Sequence, residues 1–329
     1  MNAKRSSILI VAVSLIALVM LAVAAGCTGT RTGAEAKTAD PTAVPTAASA
    51  DLAPAAVSAT PAAATATSAP VSTGQKQTIR ISGSTTVLPI IQKAADQYMT
   101  THPDADIRIS GGGSGVGIQA IGAKTVDIGM SSRDVTGAEM TRYPSFVVTT
   151  VAQDGIAVVV NPSNTIPYIT LDQISNIYLG KTTKWTEITG AEIPGTNNQI
   201  VVIGRDSASG TRAFFDEHLL AKKTPTAKML DKNSNGAVLQ TVAQTPNSIG
   251  YVSIGFVSKD VKALPIWYNA DKVIAPTLEN VKSREYPVSR DLYIITNGQP
   301  SGLTADFINY ILGPEGQKIV ADEGYVTVG

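Results

Sequence analysis

Between residues 77 and 143, short β-branched runs alternate with segments whose apolar residues recur at helical spacing. QTIRISG (77–83), ADIRIS (105–110) and VDIGMSS (126–132) read as strands. LPIIQKAADQYMTTH (88–102) reads as a helix with Leu88, Ile91, Ala95, Tyr98 and Met99 on one face. GVGIQAIGAK (115–124) and TGAEMTRY (136–143) read as shorter helices, the second capped by Thr136. Strands alternating with helices predict a mostly parallel sheet.

The pattern changes at FVVTTVAQDGIAVVVNP (146–162), a long β-branched run with a break expected at Gln153–Gly155 and a turn at Asn161-Pro162. Such a run can leave one lobe and enter another. A second alternating series follows: LDQISNIYLG (171–180) as helix, QIVVIGRD (199–206) as strand, SGTRAFFDEHLLA (209–221) and GAVLQTVAQT (236–245) as helices, IGYVSIGF (249–256) as strand. YPVSRDLYIITNG (286–298) is a further long strand that can cross back, and 301–325 is helical with a break at Gly313-Pro314. Two long strands joining two α/β halves predict a hinged protein, with lobe 1 formed by 76–155 and 286–329 and lobe 2 by 156–285. The hinge is expected near Gln153–Ala157 and Ser289–Ile294.

The first 75 residues read differently. Lys4 and Arg5 precede ILIVAVSLIALVMLAVAAG, which ends at Cys27. A basic start, an apolar stretch and small residues describe a secretory signal over 1–27, with an uncleaved anchor helix as the alternative. Cys27 follows VAAG in a pattern resembling a lipobox, so it is the expected site of lipidation. It is the only cysteine, which rules out an intrachain disulfide. Residues 28–75 are rich in Ala, Thr and Pro and poor in large apolar residues, and are expected to form a disordered tether. The 26 basic and 26 acidic residues balance, which argues against a nucleic-acid footprint.

Four predicted strand ends share one composition. They carry Ser84, Thr85 and Thr86; Ser114 and Gly115; Ser131 and Ser132 beside Arg133; and Arg205 with Ser207, Ser209, Gly210 and Thr211. Each is expected to lie near a helix start, where amides lack intrahelical partners and the helix dipole adds partial positive charge. Hydroxyls and free amides of this kind form an anion site that needs no lysine. One such turn alone is ordinary helix capping. Four of them, one with an arginine able to form two parallel bonds, point to an oxyanion. Ligands of open α/β sheets bind beyond the carboxyl ends of the strands, where all four turns fall.

SGSTTVLP, SGGGSGVGIQAI, VDIGMSSRD, GRDSASGTRAFF, IGYVSIGF and YPVSRDLYIITNG, in this order over 78–329, resemble the phosphate-binding protein (PstS) family of phosphate ABC transporters. The resemblance implies the α/β, two-lobe type II periplasmic-binding-protein fold, a Venus flytrap with two crossover hinge strands. It implies capture of inorganic phosphate and delivery to ABC transporter permease subunits by a lipid-anchored monomer on the extracytoplasmic face of the cell membrane, without a cofactor. It places the ligand against Ser84, Thr85, Thr86, Ser114, Ser132, Arg205, Ser209, Gly210 and Thr211, with Ser131 beside Ser132. Some members carry an aspartate where Ser132 stands and an acidic residue where Ser207 stands. Selection of phosphate over sulfate is therefore expected to use another proton acceptor.

Three other readings compete: a binding protein for sulfate, molybdate or tungstate; a secreted phosphatase; and a sensor or adhesion ectodomain that uses the closed lobe as a signal, which the sequence does not separate from transport. Against the phosphatase, His102 and His218 lie apart, no metal-ligand spacing is visible, and DSASG lacks the first glycine of a nucleophile elbow. Trp185, Trp267 and Tyr268 are read as core residues more readily than as the rim of a cleft.

Overall fold

The computed structural model describes residues 76–189, 193–268 and 272–329. The signal segment, Cys27 and the tether lie outside the described residues. The chain begins with β1 (Gln77–Gly83), α1 (Leu88–Thr101), β2 (Ala105–Ser110), α2 (Ser114–Gly122), β3 (Ile128–Ser131), α3 (Gly137–Arg142) and β4 (Phe146–Val160). It continues through β5 (Ile169–Thr170), α4 (Leu171–Tyr178), α5 (Thr186–Thr189), β6 (Val201–Arg205), α6 (Gly210–Leu219), β7 (Leu230–Lys232), α7 (Asn235–Gln244) and β8 (Ser248–Ser253). The last elements are β9 (Lys262–Ala263), β10 (Ile266–Tyr268), β11 (Lys272–Ile274), α8 (Leu278–Lys282), β12 (Ser289–Asn297), α9 (Gly302–Leu312) and α10 (Pro314–Asp322).

The main sheet runs β2-β1-β3-β12-β4-β8-β6-β7, with β9 on β4; β11-β10-β5 form a separate small sheet. β1 is parallel to β2 and β3, and β6 is parallel to β7 and β8. β4 and β12 run antiparallel to their neighbours in the middle. β4 is continuous over 15 residues, so the expected break does not occur. Instead the strand changes partner at that point. Up to Gly155 it pairs with β12, and from Ile156 onward it pairs with β8. The Asp154-Gly155 pair thus marks a seam between two half-sheets rather than a gap, because the backbone finds a hydrogen-bonding partner on either side.

Each half carries its own apolar core. One gathers Ile79, Ile81, Ile107, Ile128, Leu292 and Phe307 under α1, α9 and α10; the other gathers Val158, Val160, Trp185, Phe215, Tyr251 and Leu264. Burying each branched aliphatic or aromatic side chain contributes about 1.5–3 kcal/mol. In α1 the buried residues are Ile90, Ile91, Ala94, Ala95 and Tyr98, while Leu88 and Met99 are only partly buried. The buried stripe is therefore turned from the predicted one, because α1 lies between the sheet and the two C-terminal helices and buries two sides. Local signals set the helix starts. Thr136 and Glu139 form a capping box at α3, Thr170 and Gln173 another at α4, and Pro314 opens α10.

Trp185 is fully buried and donates through Nε1 to the Asn247 carbonyl at 3.0 Å. Trp267 and Tyr268 are exposed on β10, Trp267 edge-on to Tyr168 at 5.0 Å. Only the first of the three is a core residue.

Candidate functional site

The carboxyl ends of β1, β2, β3 and β6 converge where the two halves of the sheet face each other. Ser84, Thr86, Ser114, Ser131, Ser132, Arg205, Ser209 and Thr211 are all buried there, although every one is polar. Polar groups withdrawn from water need partners, and several of these find one another. Ser114 Oγ lies 3.3 Å from Ser132 Oγ and accepts the Ser132 amide at 3.0 Å. Thr86 Oγ1 lies 3.2 Å from Thr211 Oγ1. Arg205 Nη2 donates to Thr85 Oγ1 at 3.0 Å. Residues more than a hundred positions apart thus share one polar cluster.

The helix starts differ from one another. Ser84 Oγ accepts from the amides of Thr86 and Val87, at 3.2 and 3.4 Å, just ahead of α1. Ser209 caps α6 by accepting from the Arg212 amide at 3.2 Å. Ser209 therefore does ordinary capping work, whereas Ser84 closes the turn ahead of α1, whose cap position, Val87, has no side-chain cap. Ser114 opens α2, whose cap position is Gly113. The third turn is different from expectation. α3 starts only at Gly137 with Thr136 as its own cap, so Ser131 and Ser132 sit at a strand end and not at a helix N-terminus.

Three neighbours of the cluster are committed elsewhere. The Ser131 hydroxyl donates to the Arg133 carbonyl at 2.7 Å, which closes the turn. The Gly115 amide donates to the Ala208 carbonyl at 3.0 Å and offers no free N–H. Arg133 forms a two-pronged pair with Glu139, both bonds 2.8 Å, rather than reaching the cluster. The Arg133 guanidinium and Thr136 outweigh the effect of partial burial and hold the Glu139 carboxyl below the usual glutamate value.

Arg205 brings a cationic side chain to the cluster from the second half of the sheet. It is 1% exposed. Its Nε and Nη2 donate to the carbonyls of Lys232 and Asn233, each at 3.2 Å, which fixes the guanidinium plane. No ion pair joins it to Asp206, and Nη1 is buried without a hydrogen-bond partner. Burial pulls the guanidinium down from its ordinary value, with Asp206 pulling back. An arginine remains protonated under such conditions. A buried guanidinium with a free donor and no carboxylate is an acceptor-seeking group, and an oxyanion meets that need.

Two glycines let the walls come together. A Cβ on Gly210 would stand 2.1 Å from Ser114 Oγ and 2.9 Å from Ser132 Oγ. Gly113 has φ +98°, and a Cβ there would lie 2.5 Å from the Ala208 carbonyl oxygen.

Behind the cluster lie groups that the sequence patterns did not single out. Arg290 on β12 and Asp154 on β4 form a fully buried pair, with Arg290 Nε and Nη2 at 3.0 and 2.7 Å from Asp154 Oδ2. Ser253 donates to Asp154 Oδ1 at 2.7 Å, and Arg290 Nη1 donates to the Ser132 carbonyl at 2.8 Å. Tyr325 donates to the Thr86 carbonyl at 2.9 Å, and Asn235 Nδ2 donates to Thr86 Oγ1 at 2.9 Å. Asp154 and Arg290 had a legible signal: each is a charge inside a long apolar strand, which requires a partner. Asn235 had none, since it stands at an ordinary helix start.

The histidines stay apart from this cluster. His102 stacks on Tyr98 at 3.9 Å and His218 on Phe214 at 3.8 Å. Among the described residues, no group of three or more His, Cys, Asp or Glu could hold a metal ion, and no helix is long and apolar enough to cross a membrane.

Two α/β halves joined by crossing strands, with an anion-seeking cluster between them, define a protein of the two-lobe, type II periplasmic-binding class. A PBP superfamily domain matches residues 58–315. The phosphate-binding protein PstS of Bacillus subtilis (strain 168) is 33% identical over 253 residues, covering 76% of this chain and 81% of that one. A phosphate ABC transporter substrate-binding protein of Clostridium perfringens, solved with bound phosphate, has TM-score 0.70 at 33% identity and covers 77% of this chain and 100% of that one. An ABC-type phosphate transport receptor of Vibrio cholerae has TM-score 0.63 at 30% identity, covering 76% of this chain and 100% of that one. The chain belongs to the PBP superfamily and, within it, to the family of PstS phosphate-binding proteins. These relatives are named as phosphate-binding and phosphate-transport proteins and none of them as an enzyme.

Proposed function

We propose that this chain captures inorganic phosphate between its lobes on the extracytoplasmic side of the membrane and hands it to the permease of an ABC transporter. Ser84, Thr85, Thr86, Ser114, Ser132, Arg205, Ser209, Gly210 and Thr211 supply the contacts. The observation that carries this reading is Arg205: a guanidinium buried beside hydroxyls, with Nη1 unpartnered and no ion pair to the neighbouring Asp206. The relatives solved or named as phosphate-binding proteins give the anion its identity.

The energetics are adequate. Each hydrogen bond to a charged group contributes about 1.5–3 kcal/mol. Micromolar affinity requires about 8 kcal/mol net. A handful of such bonds leaves a margin for the cost of dehydrating the anion. Entry requires the contacts between the halves to part, so residues 76–155 with 286–329 would move as one body and 156–285 as the other. The partner change of β4 at Gly155 supports a hinge at Gln153–Ala157 and Ser289–Ile294.

Cys27 would carry the lipid that keeps the domain at the membrane, with 28–75 as its tether. Titration calorimetry with phosphate tests the binding reading; no heat at micromolar protein would end it. For the anchor, Cys27→Ser should move the protein from the membrane fraction to the medium, and equal retention would refute lipidation.

A further inference from the structure

At Thr86 the two halves of the molecule touch through a single hydroxyl. Its Oγ1 lies 2.9 Å from Asn235 Nδ2, 3.5 Å from Arg290 Nη2 and 3.2 Å from Thr211 Oγ1. The Asn235 side chain is fully buried, at the first turn of α7. Its amide has only one workable orientation. Oδ1 accepts from the Ser253 backbone amide at 3.3 Å, and a backbone N–H can only donate. The NH2 group therefore faces Thr86. The other approach, from Arg290, also brings a donor without any acceptor capacity.

A hydroxyl has one proton and two lone pairs. With Asn235 donating to it, and Arg290 approaching as a second donor at longer range, the lone pairs of Thr86 are turned toward donors. Its proton is left for the side on which Thr211 and the anion-seeking cluster stand. We infer that Asn235 is a specificity-determining positioning residue: from the second lobe it fixes Thr86, in the first lobe, as a donor toward the bound oxyanion. Thr86 then supplies a hydrogen bond to an unprotonated ligand oxygen only when the lobes are together, which couples closure to ligand charge.

The charged and titratable groups around Thr86 are Arg290 from β12, Asp154 from β4 behind that arginine, Tyr325 on the Thr86 carbonyl, and Arg205 on the adjacent Thr85. Asp154 is held by Arg290 and Ser253, so none of these offers Thr86 an acceptor.

This inference rests on the phosphate reading of the site, and its test separates the two. Phosphate binding is measured by calorimetry for the wild-type protein, Thr86→Val, Asn235→Ala and the double variant. Each single change is expected to weaken binding by about tenfold. The double variant is expected to bind no more weakly than Thr86→Val, since Asn235 acts through that hydroxyl. Losses that multiply, to about a hundredfold, would overturn the role of Asn235. A wild-type protein that takes up no phosphate would overturn the phosphate reading itself. Asn235→Asp supplies a readout that a merely structural role would not move. Its carboxylate would draw the Thr86 proton toward itself, so the ligand oxygen there would have to bring a proton. Phosphate affinity of this variant should fall, relative to wild type, between about pH 6 and about pH 8 as phosphate loses its second proton. Parallel pH profiles for the two proteins would contradict the inference.

Discussion

Arg205 Nη2 and Thr85 Oγ1 lie 3.0 Å apart, joining the end of β6 to the loop after β1 across the two halves of the molecule. The pair is 120 residues apart in sequence and would hardly meet without both half-sheets in place. Arg205→Ala should lower phosphate affinity by at least about 2 kcal/mol, because it removes a buried charged donor. Arg205→Lys should recover little of this, as an ammonium cannot reproduce the planar fork held by the Lys232 and Asn233 carbonyls. Calorimetry reads both; undiminished binding in either variant would contradict the assignment.

Gly210→Ala should weaken phosphate binding by about tenfold or more while leaving the melting temperature of the free protein nearly unchanged. The added methyl meets Ser114 Oγ and Ser132 Oγ, which belong to the other half, so it obstructs the approach of the halves and not the folding of either. Small-angle scattering with saturating phosphate should show the variant more extended than the wild type. Identical profiles would count against this account.

Selection between phosphate and sulfate should depend on Ser132. No carboxylate takes part in the hydroxyl cluster, and the Ser132 amide is already given to Ser114. A serine hydroxyl both donates and accepts, so it can accept a hydrogen bond from the proton that phosphate retains near neutrality and sulfate lacks. Phosphate is expected to bind more tightly than sulfate, and Ser132→Ala should narrow the gap. Competition calorimetry showing equal affinities in the wild-type protein would refute it.

Asp154→Ala should destabilise the fold by about 3–5 kcal/mol, since it strands the Arg290 guanidinium without its counter-ion in a dry interior. Replacing both partners together with apolar residues of similar volume should cost much less. Urea denaturation of the three proteins distinguishes the cases, and equal losses in the single and double variants would argue against a paired role.

Glu139 provides a pH signature. Its folded pKa lies below the ordinary glutamate value, so the folded state binds its proton less readily than the unfolded chain. The stabilisation is present above the unfolded glutamate value and is lost as pH falls through the folded one. Glu139→Gln should therefore cost about 1 kcal/mol near neutrality and progressively less in acid. A difference from wild type that stays constant down to strong acid would rule this out.

Local chemistry was legible in the chain before folding. Alternating β-branched and helical runs gave most of the strands and helices of both halves, because the two spacings, 2 and about 3.6, place apolar residues on one face of each element. The Gly313-Pro314 break and the Thr136 cap are equally local, and both stand in the structure. The short strands β5, β7, β9, β10 and β11 are too brief to show a period, and they form only because a neighbour supplies hydrogen bonds.

The composition of the four turns, hydroxyls with one arginine, was already sufficient to indicate an anion. What the chain alone could not decide was which of those groups remain free for it. Ser131 and Gly115 have the right chemistry, yet their hydrogen bonds go to Arg133 and Ala208. Asn235 carries no motif, yet reaches Thr86 from 149 residues away. A residue type states what a group can donate or accept; only the packing of distant segments determines which partner it meets, because burial confines each polar atom to the few neighbours packed against it.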